Sequence, residues 1–328
     1  ERVAGQRCSV DIPLYGEFAE TGIALKNFAD AFCANPAQAG LDEMREHYHA
    51  AMDSWQAIQH VQFGPVTYFN WNYRLQFWPD DNNTGARQLT ALLAAQDRDV
   101  LAEENFARQS VGVQGFPALE SLLFDDNSLQ QFQADSYRCQ LAQTIAANIG
   151  SIAEDVYQRW VDEFRASVAN ADDSDFFESA EDATIDFLKA LIEPLPGLRD
   201  QKLALPLGES FARARDRRAE SWRSQRSLRN LKINLQSLQE LFSPQAGAQT
   251  ALSDVFLPED VAAVNAKFLE LQPALGALPD SMVAALADEQ GYDQLVAIQS
   301  QVDALYEALE AALKNTDLYL GFNSLDGD

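Results

Sequence analysis

Three stretches in the second half of the chain place apolar side chains three and four residues apart with almost no slippage. Leu228, Leu231, Leu235, Leu238 and Phe242 form the first; Val261, Val264, Phe268, Leu271 and Leu275 form the second. The third runs through Leu295, Ile298, Val302, Leu305, Leu309 and Leu313. Such spacing lines one side of an α-helix and cannot line one face of a strand, whose side chains alternate with a period of two. The first half repeats it in Leu14, Phe18, Leu25, Ala29 and Phe32, and in Leu41, Met44, Tyr48, Ala51, Trp55 and Ile58. It returns in Leu141, Ile145, Ile149, Ile152, Val156, Trp160 and Phe164, and no convincing alternating run appears anywhere. The pattern predicts an all-α chain of two antiparallel helical-bundle domains. Both halves hold enough stripes for a duplicated four-helix bundle, although no repeated sequence establishes one.

Where the stripes stop, the chemistry changes. Residues 63–85 break the helical pattern: Phe63-Gly64-Pro65 is a turn, and Tyr68, Phe69, Trp71, Tyr73, Phe77 and Trp78 then crowd together. Aromatics that dense predict a loop packed down on the body, and Arg74 among them calls for a carboxylate or a ring face. Trp78-Pro79-Asp80-Asp81-Asn82-Asn83 reads as a second turn with helix-capping acids. Helix is expected again over 86–108, and as one long element over 128–168. The polar run Asn170-Ala171-Asp172-Asp173-Ser174-Asp175 cannot pack. It is the expected domain boundary, giving domains 1–170 and 175–328, with Asp175 as an N-cap.

The charge balance narrows the partners. With 24 Lys and Arg against 50 Asp and Glu, the chain carries a formal charge of −26. That repels phosphate backbones and anionic membrane surfaces, so nucleic acid is excluded as a partner. No apolar run approaches the ~20 residues that span a bilayer. Against this background the segment from Arg199 to Lys232 concentrates base: Arg199, Lys202, Arg213, Arg215, Arg217, Arg218, Arg223, Arg226, Arg229 and Lys232. Internal ion pairing with the abundant acids explains it better than an anion site. Cys8, Cys33 and Cys139 have no metal-ligand spacing; Cys33 closes one helix and Cys139 lies inside another, so these two could form a disulfide in an exported protein.

Enzyme signatures are missing. There is no dinucleotide fingerprint, phosphate-binding Walker loop, H-E-x-x-H pair or G-x-S-x-G elbow, and no Glu-x-x-His pair for a di-iron bundle. His47, His49 and His60 all fall on one helix. His49, Asp53 and His60 share its polar stripe and could bind a metal, though a solvated face explains them as well.

One acid stands apart. In the run from Val111 to Phe124, Leu119, Leu122 and Leu123 take core spacing, which places Glu120 on or beside a buried face. An unpaired charge there costs several kcal/mol. Glu120 is expected to pair with an arginine, either Arg74 or one of the Arg223–Arg229 segment. Such a pair would draw the aromatic loop, this helix and the basic segment together between the bundles.

The chain resembles the imelysin-like family of bacterial periplasmic proteins. Trp55 with the Phe63-Gly64-Pro65 turn carries the likeness, followed by Arg74-Leu75-Gln76-Phe77-Trp78-Pro79-Asp80 and by Ser110 through Glu120. Lys202-Leu203-Ala204-Leu205-Pro206-Leu207-Gly208 and Ala219 through Asn230 carry it in the second half. The resemblance implies a two-domain helical fold, an exported protein associated with iron uptake, and a branch of predicted lipoproteins anchored through an upstream segment. Some members are described as metallopeptidases and others as iron- or haem-related binding proteins. Their shared signature, G-x-H-x-x-E, supplies a His and a Glu as metal ligands. Here Gly115 and Glu120 match, but Pro117 stands in the His position. Proline offers a metal no lone pair and commits the position to a helix start. The expected site therefore comprises Arg74, Trp78, Asp80, Gln114, Gly115, Pro117 and Glu120, with Ser221, Trp222, Arg223 and Arg226 from the basic segment. Iron or another divalent metal would have to draw on Glu120 with His49, Asp53 or His60. The expected function is non-catalytic binding of a small ligand or an envelope protein, the alternative being a metal-dependent peptidase with a remodelled site.

Overall fold

The computed structural model describes residues 2–243, 251–318 and 320, with side chains described from residue 12 onward, so Cys8 lies outside the described side chains. Among the described residues every regular element is helical. The chain divides into two compact units, residues 12–161 and residues 1–11 together with 162–328.

In the first unit, α1 (Arg2–Ala34), which belongs to it from residue 12 onward, is followed by α2 (Gln38–Ile58), α3 (Trp71–Leu75), α4 (Thr84–Ala95), α5 (Glu103–Phe106), α6 (Phe116–Phe124), α7 (Ser128–Ala134) and α8 (Ser136–Arg159). The apolar stripes meet as their spacing requires. Phe18, Leu25, Leu41, Tyr48, Trp55, Ile145 and Ile149 are all fully or almost fully buried. Phe116 sits at their centre, with its ring centroid 5.8 Å from Tyr48 and 6.4 Å from Phe18. Burying a side chain of this size contributes roughly 1.5–3 kcal/mol, so this aromatic knot fixes α6 against α1 and α2. Cys33 in α1 and Cys139 in α8 are joined by a disulfide, with their Cα atoms 5.5 Å apart.

The second unit opens with α9 (Arg165–Ala169) and α10 (Ala180–Ile192). After Pro194–Pro196 the helix widens to π-type turns over Gly197–Ala204. There follow α11 (Ser227–Phe242), α12 (Pro258–Ala277), α13 (Met282–Ala285) and α14 (Glu289–Lys314). The long pair α12 and α14 runs antiparallel: Asn315, just after α14, donates to Asp260 in the first turn of α12 at 3.0 Å. Val264, Phe268 and Leu271 face Leu295, Ile298, Val302, Leu305 and Leu309, and all eight are buried.

Local capping chemistry interrupts two stretches that the apolar pattern alone predicts as continuous helix. The expected element over 128–168 breaks at Asp135, whose side chain accepts from Tyr137 N and caps a new helix. It then passes through a π-type turn at Trp160–Phe164. The element expected over 86–108 stops at Gln96, which takes a left-handed conformation (φ 51°) and closes α4 by donating its N–H to Leu92 O. At the polar break, Ser179 and not Asp175 is the N-cap of α10, its hydroxyl accepting from Asp182 N at 3.1 Å. Conversely, the loop expected over 63–85 is partly wound, with a 3-10 segment Gly64–Asn70 leading directly into α3.

Candidate functional site

The stretch containing Glu120 is held by a close approach of two backbones. A Cβ on Gly115 would lie 2.0 Å from Leu75 O and 2.3 Å from Arg74 O. Three residues away in the same segment, Gly112 lies against Gly85, where a Cβ would meet Gly112 O at 2.7 Å. Glycine is required at these contacts because no side chain fits between the chains. Gly115 then serves as N-cap of α6, and Pro117 occupies its first turn, where a missing N–H costs no hydrogen bond. Gly115→Ala forces the Arg74–Leu75 backbone outward. The expected loss is at least about 1–3 kcal/mol, the usual cost of overpacking, and chemical denaturation of the purified variant measures it.

The other side of this contact is the Arg74–Asp80 stretch, and most of its residues have a structural task. Leu75 is fully buried in the core. The Gln76 side-chain oxygen accepts from Trp55 Nε1 (2.7 Å), Gln56 Nε2 (2.9 Å) and Gln59 Nε2 (2.8 Å), tying the segment to α2. Trp78 is half-buried and is joined to Pro79 by a cis peptide bond. Asp80 accepts from Thr84 N and Gly85 N at 2.8 and 2.7 Å, capping α4.

Arg74 has partners other than the expected carboxylate. Its Nε donates to Gln114 Oε1 at 2.7 Å and its Nη2 to Asn148 Oδ1 at 2.6 Å. Those acceptors are themselves fixed: Gln114 Nε2 donates to Gln109 O at 2.6 Å, and Asn148 Nδ2 to Gln114 O at 2.8 Å. Burial lowers the Arg74 pKa from its ordinary value, and the nearby Asp155 charge opposes that shift. Of the arginines expected as partners of Glu120, Arg74 is instead held by two neutral amide oxygens. Glu120 itself is buried on α6, 4% exposed, as its spacing with Leu119, Leu122 and Leu123 predicts.

The metal that the family signature implies does not fit these residues. Pro117 cannot ligate, and among the described residues no three His, Cys, Asp or Glu side chains gather into a group able to hold an ion. His49 instead packs its ring against Phe124 at 5.3 Å and Tyr48 at 5.9 Å, while His60 is 7% exposed.

The expected residues of the basic segment belong to the second unit, where a buried polar network organises them. Lys202 Nζ lies 2.8 Å from Glu220 Oε2 and donates to Asn234 Oδ1 at 2.6 Å. Asn230 Nδ2 donates to Glu220 Oε2 at 2.8 Å and to Ser221 Oγ at 3.2 Å; Arg226 Nε donates to Asn230 Oδ1 at 2.7 Å. Burial pulls the Lys202 pKa below the ordinary lysine value, against the attraction of Glu220, and the Arg226 charge lowers it further. Ser221 and Gln225 adopt positive φ (50° and 59°), conformations that non-glycine residues rarely hold without such anchoring. Trp222 is capped on its ring by Arg217 at 5.1 Å and Arg223 at 4.4 Å. Much of the remaining base is paired as well: Arg199 with Asp200 and Asp303, Arg213 with Glu209, and Lys232 with Asp280.

Sequence reasoning did not single out Asn148 or Asn234, and it named Gln76, Lys202, Glu220 and Asn230 only as members of longer stretches. A signal existed for one pair. Asn230 and Asn234 stand one turn apart beside Leu231 and Leu235, and an amide at such a position needs a buried partner.

Comparison with known proteins agrees with this architecture. The family model for Imelysin, a peptidase family, matches residues 12–312. Iron-regulated protein A of Synechococcus elongatus is 21% identical over 313 residues, covering 92% of this chain and 82% of that protein. The crystal structure of an imelysin-like protein from Psychrobacter arcticum superposes with a TM-score of 0.78 at 16% identity, covering 97% of this chain and 98% of the other. A structure described as that of an iron-regulated protein A precursor, from Parabacteroides distasonis, gives 0.77 at 14% identity, with 94% of each chain covered. The match along nearly the whole described length establishes that this chain belongs to the imelysin family.

Proposed function

We propose that this protein is a non-catalytic binding protein of the iron-acquisition type that works in the periplasm. The observation that carries the reading is Pro117, which removes a ligand from the family's G-x-H-x-x-E signature while Gly115 and Glu120 remain. A lone carboxylate on this scaffold holds a divalent ion only weakly, since catalytic zinc sites use about three protein ligands. The names of two relatives, which contain the words iron-regulated protein A, support the link to iron. The disulfide supports an oxidising compartment, because cytosolic thiols are kept reduced.

The test is metal analysis of the purified protein combined with a proteolysis assay, with and without chelator. The expected result is no stoichiometric metal and no chelator-sensitive cleavage. About one metal per chain together with cleavage abolished by chelator would establish the alternative, a metal-dependent peptidase with a remodelled site.

A further inference from the structure

Arg74 is arranged as a receptor for a ligand carboxylate. Its backbone is pinned by Gly115, which leaves no space for the Arg74 and Leu75 carbonyls to move inward. Its side chain is pinned by Gln114 and Asn148, which take the Nε and Nη2 donors on one edge of the guanidinium. Both acceptors are uncharged. Among the described residues Nη1 has no hydrogen-bond partner, and no carboxylate lies within ion-pair distance of Arg74. Arg74 is half-buried, its hydrogen bonds go to two amides, and the charge acting on it is that of Asp155, which is not within ion-pair distance. Other arginines of this protein, such as Arg199 and Arg213, are paired with acids.

The free edge defines the ligand. Nη1 keeps both of its N–H groups, and Nη2, with one hydrogen bond to Asn148, keeps a second. They match the two oxygens of a carboxylate as parallel, charge-assisted hydrogen bonds. Because the side chain is already oriented, little rotamer freedom is lost on binding. A singly charged planar group also suits a chain of −26 better than a doubly charged phosphate, which long-range repulsion disfavours. We propose that Arg74, oriented by Gln114 and Asn148, is the subsite at which this protein takes a carboxylate group of a small anionic ligand. This rests on the binding-protein reading above and deepens it by naming the chemical class bound.

The experiment is calorimetric titration of the intact protein with acetate and lactate as singly charged carboxylate probes and inorganic phosphate as the comparison. The wild type is expected to bind a carboxylate probe more tightly than phosphate. Arg74→Lys keeps the charge but loses the paired donors, and should weaken carboxylate binding about tenfold or more. Asn148→Ala keeps the guanidinium but frees it, and should give a smaller loss. Arg74→Ala should abolish binding; if that variant fails to fold, judged by its circular dichroism, the other two carry the test. No carboxylate binding by the wild type at millimolar concentration, or equal binding by wild type and Arg74→Lys, would overturn the assignment. Either result leaves the metal and proteolysis assays untouched, so this proposal and the non-catalytic reading fail separately.

Discussion

Substituting Glu220 by Gln is expected to lower the stability of the second unit by about 3–5 kcal/mol, the usual effect of breaking a buried ion pair by removing one charge. Lys202 would keep its ammonium in a site from which water is excluded, with the counter-charge 2.8 Å away removed. For a unit of this size the loss corresponds to a fall of roughly 6–20 °C in the melting midpoint, readable by circular dichroism. The double change Glu220→Gln with Lys202→Met removes both charges, and should recover much of the loss, because a buried pair often contributes little net stability over apolar residues. An unchanged midpoint in the single variant would mean that the pair does not hold the network together.

The same lysine sets a sign for pH dependence. Its folded pKa lies below its unfolded value because burial disfavours the ammonium. In the window between the two values the unfolded chain binds more protons than the folded one, so this group's contribution to stability rises with pH. Below that window both states carry the proton, and the desolvation penalty is present in full. In Lys202→Met that contribution is absent, and the alkaline rise should flatten.

How much of this was legible in sequence depended on whether a residue's task is periodic. Leu228, Leu231 and Leu235 declare a helix because burial of one face repeats every three to four residues. Glu120 could be placed on a buried face because its neighbours Leu119, Leu122 and Leu123 define that face. Asp135 and Gln96 could not be found this way. Each ends or starts a helix through one side-chain or backbone hydrogen bond, and the apolar stripe runs past without a mark.

The partners of Arg74 were not legible, for a related reason. The aromatics around Arg74 call for a carboxylate or a ring face as its partner. The structure supplies Gln114 and Asn148, uncharged amides that no charge pattern announces. Gly115 invites interpretation as part of a metal signature, yet its backbone contact with Leu75 explains the glycine with no metal at all. In the second unit, the stretches around Lys202 and around Ala219 to Asn230 are separate in sequence. They meet at Glu220, where Lys202 and Asn230 share one carboxylate oxygen. Only the fold brings those donors together.

Removing the disulfide should produce an effect of similar size in the first unit, by a different route. Cys33 and Cys139 are 106 residues apart in sequence. A cross-link closing a loop of ~100 residues restricts the unfolded chain by about 4.7 kcal/mol in the loop-entropy account, and measured losses run to roughly 2–5 kcal/mol. The double variant Cys33→Ser with Cys139→Ser should therefore unfold at clearly lower denaturant than the wild type. Because the bridge acts on the unfolded chain, the aromatic contacts of Phe116 with Tyr48 and Phe18 should survive below the transition, visible as an unchanged near-ultraviolet dichroism. Peptide mapping without reductant should recover the Cys33 and Cys139 peptides joined. Reductant should lower the wild-type transition to that of the double variant and leave the variant where it is. A variant as stable as the oxidised wild type would show that the helices hold the unit closed without the bridge.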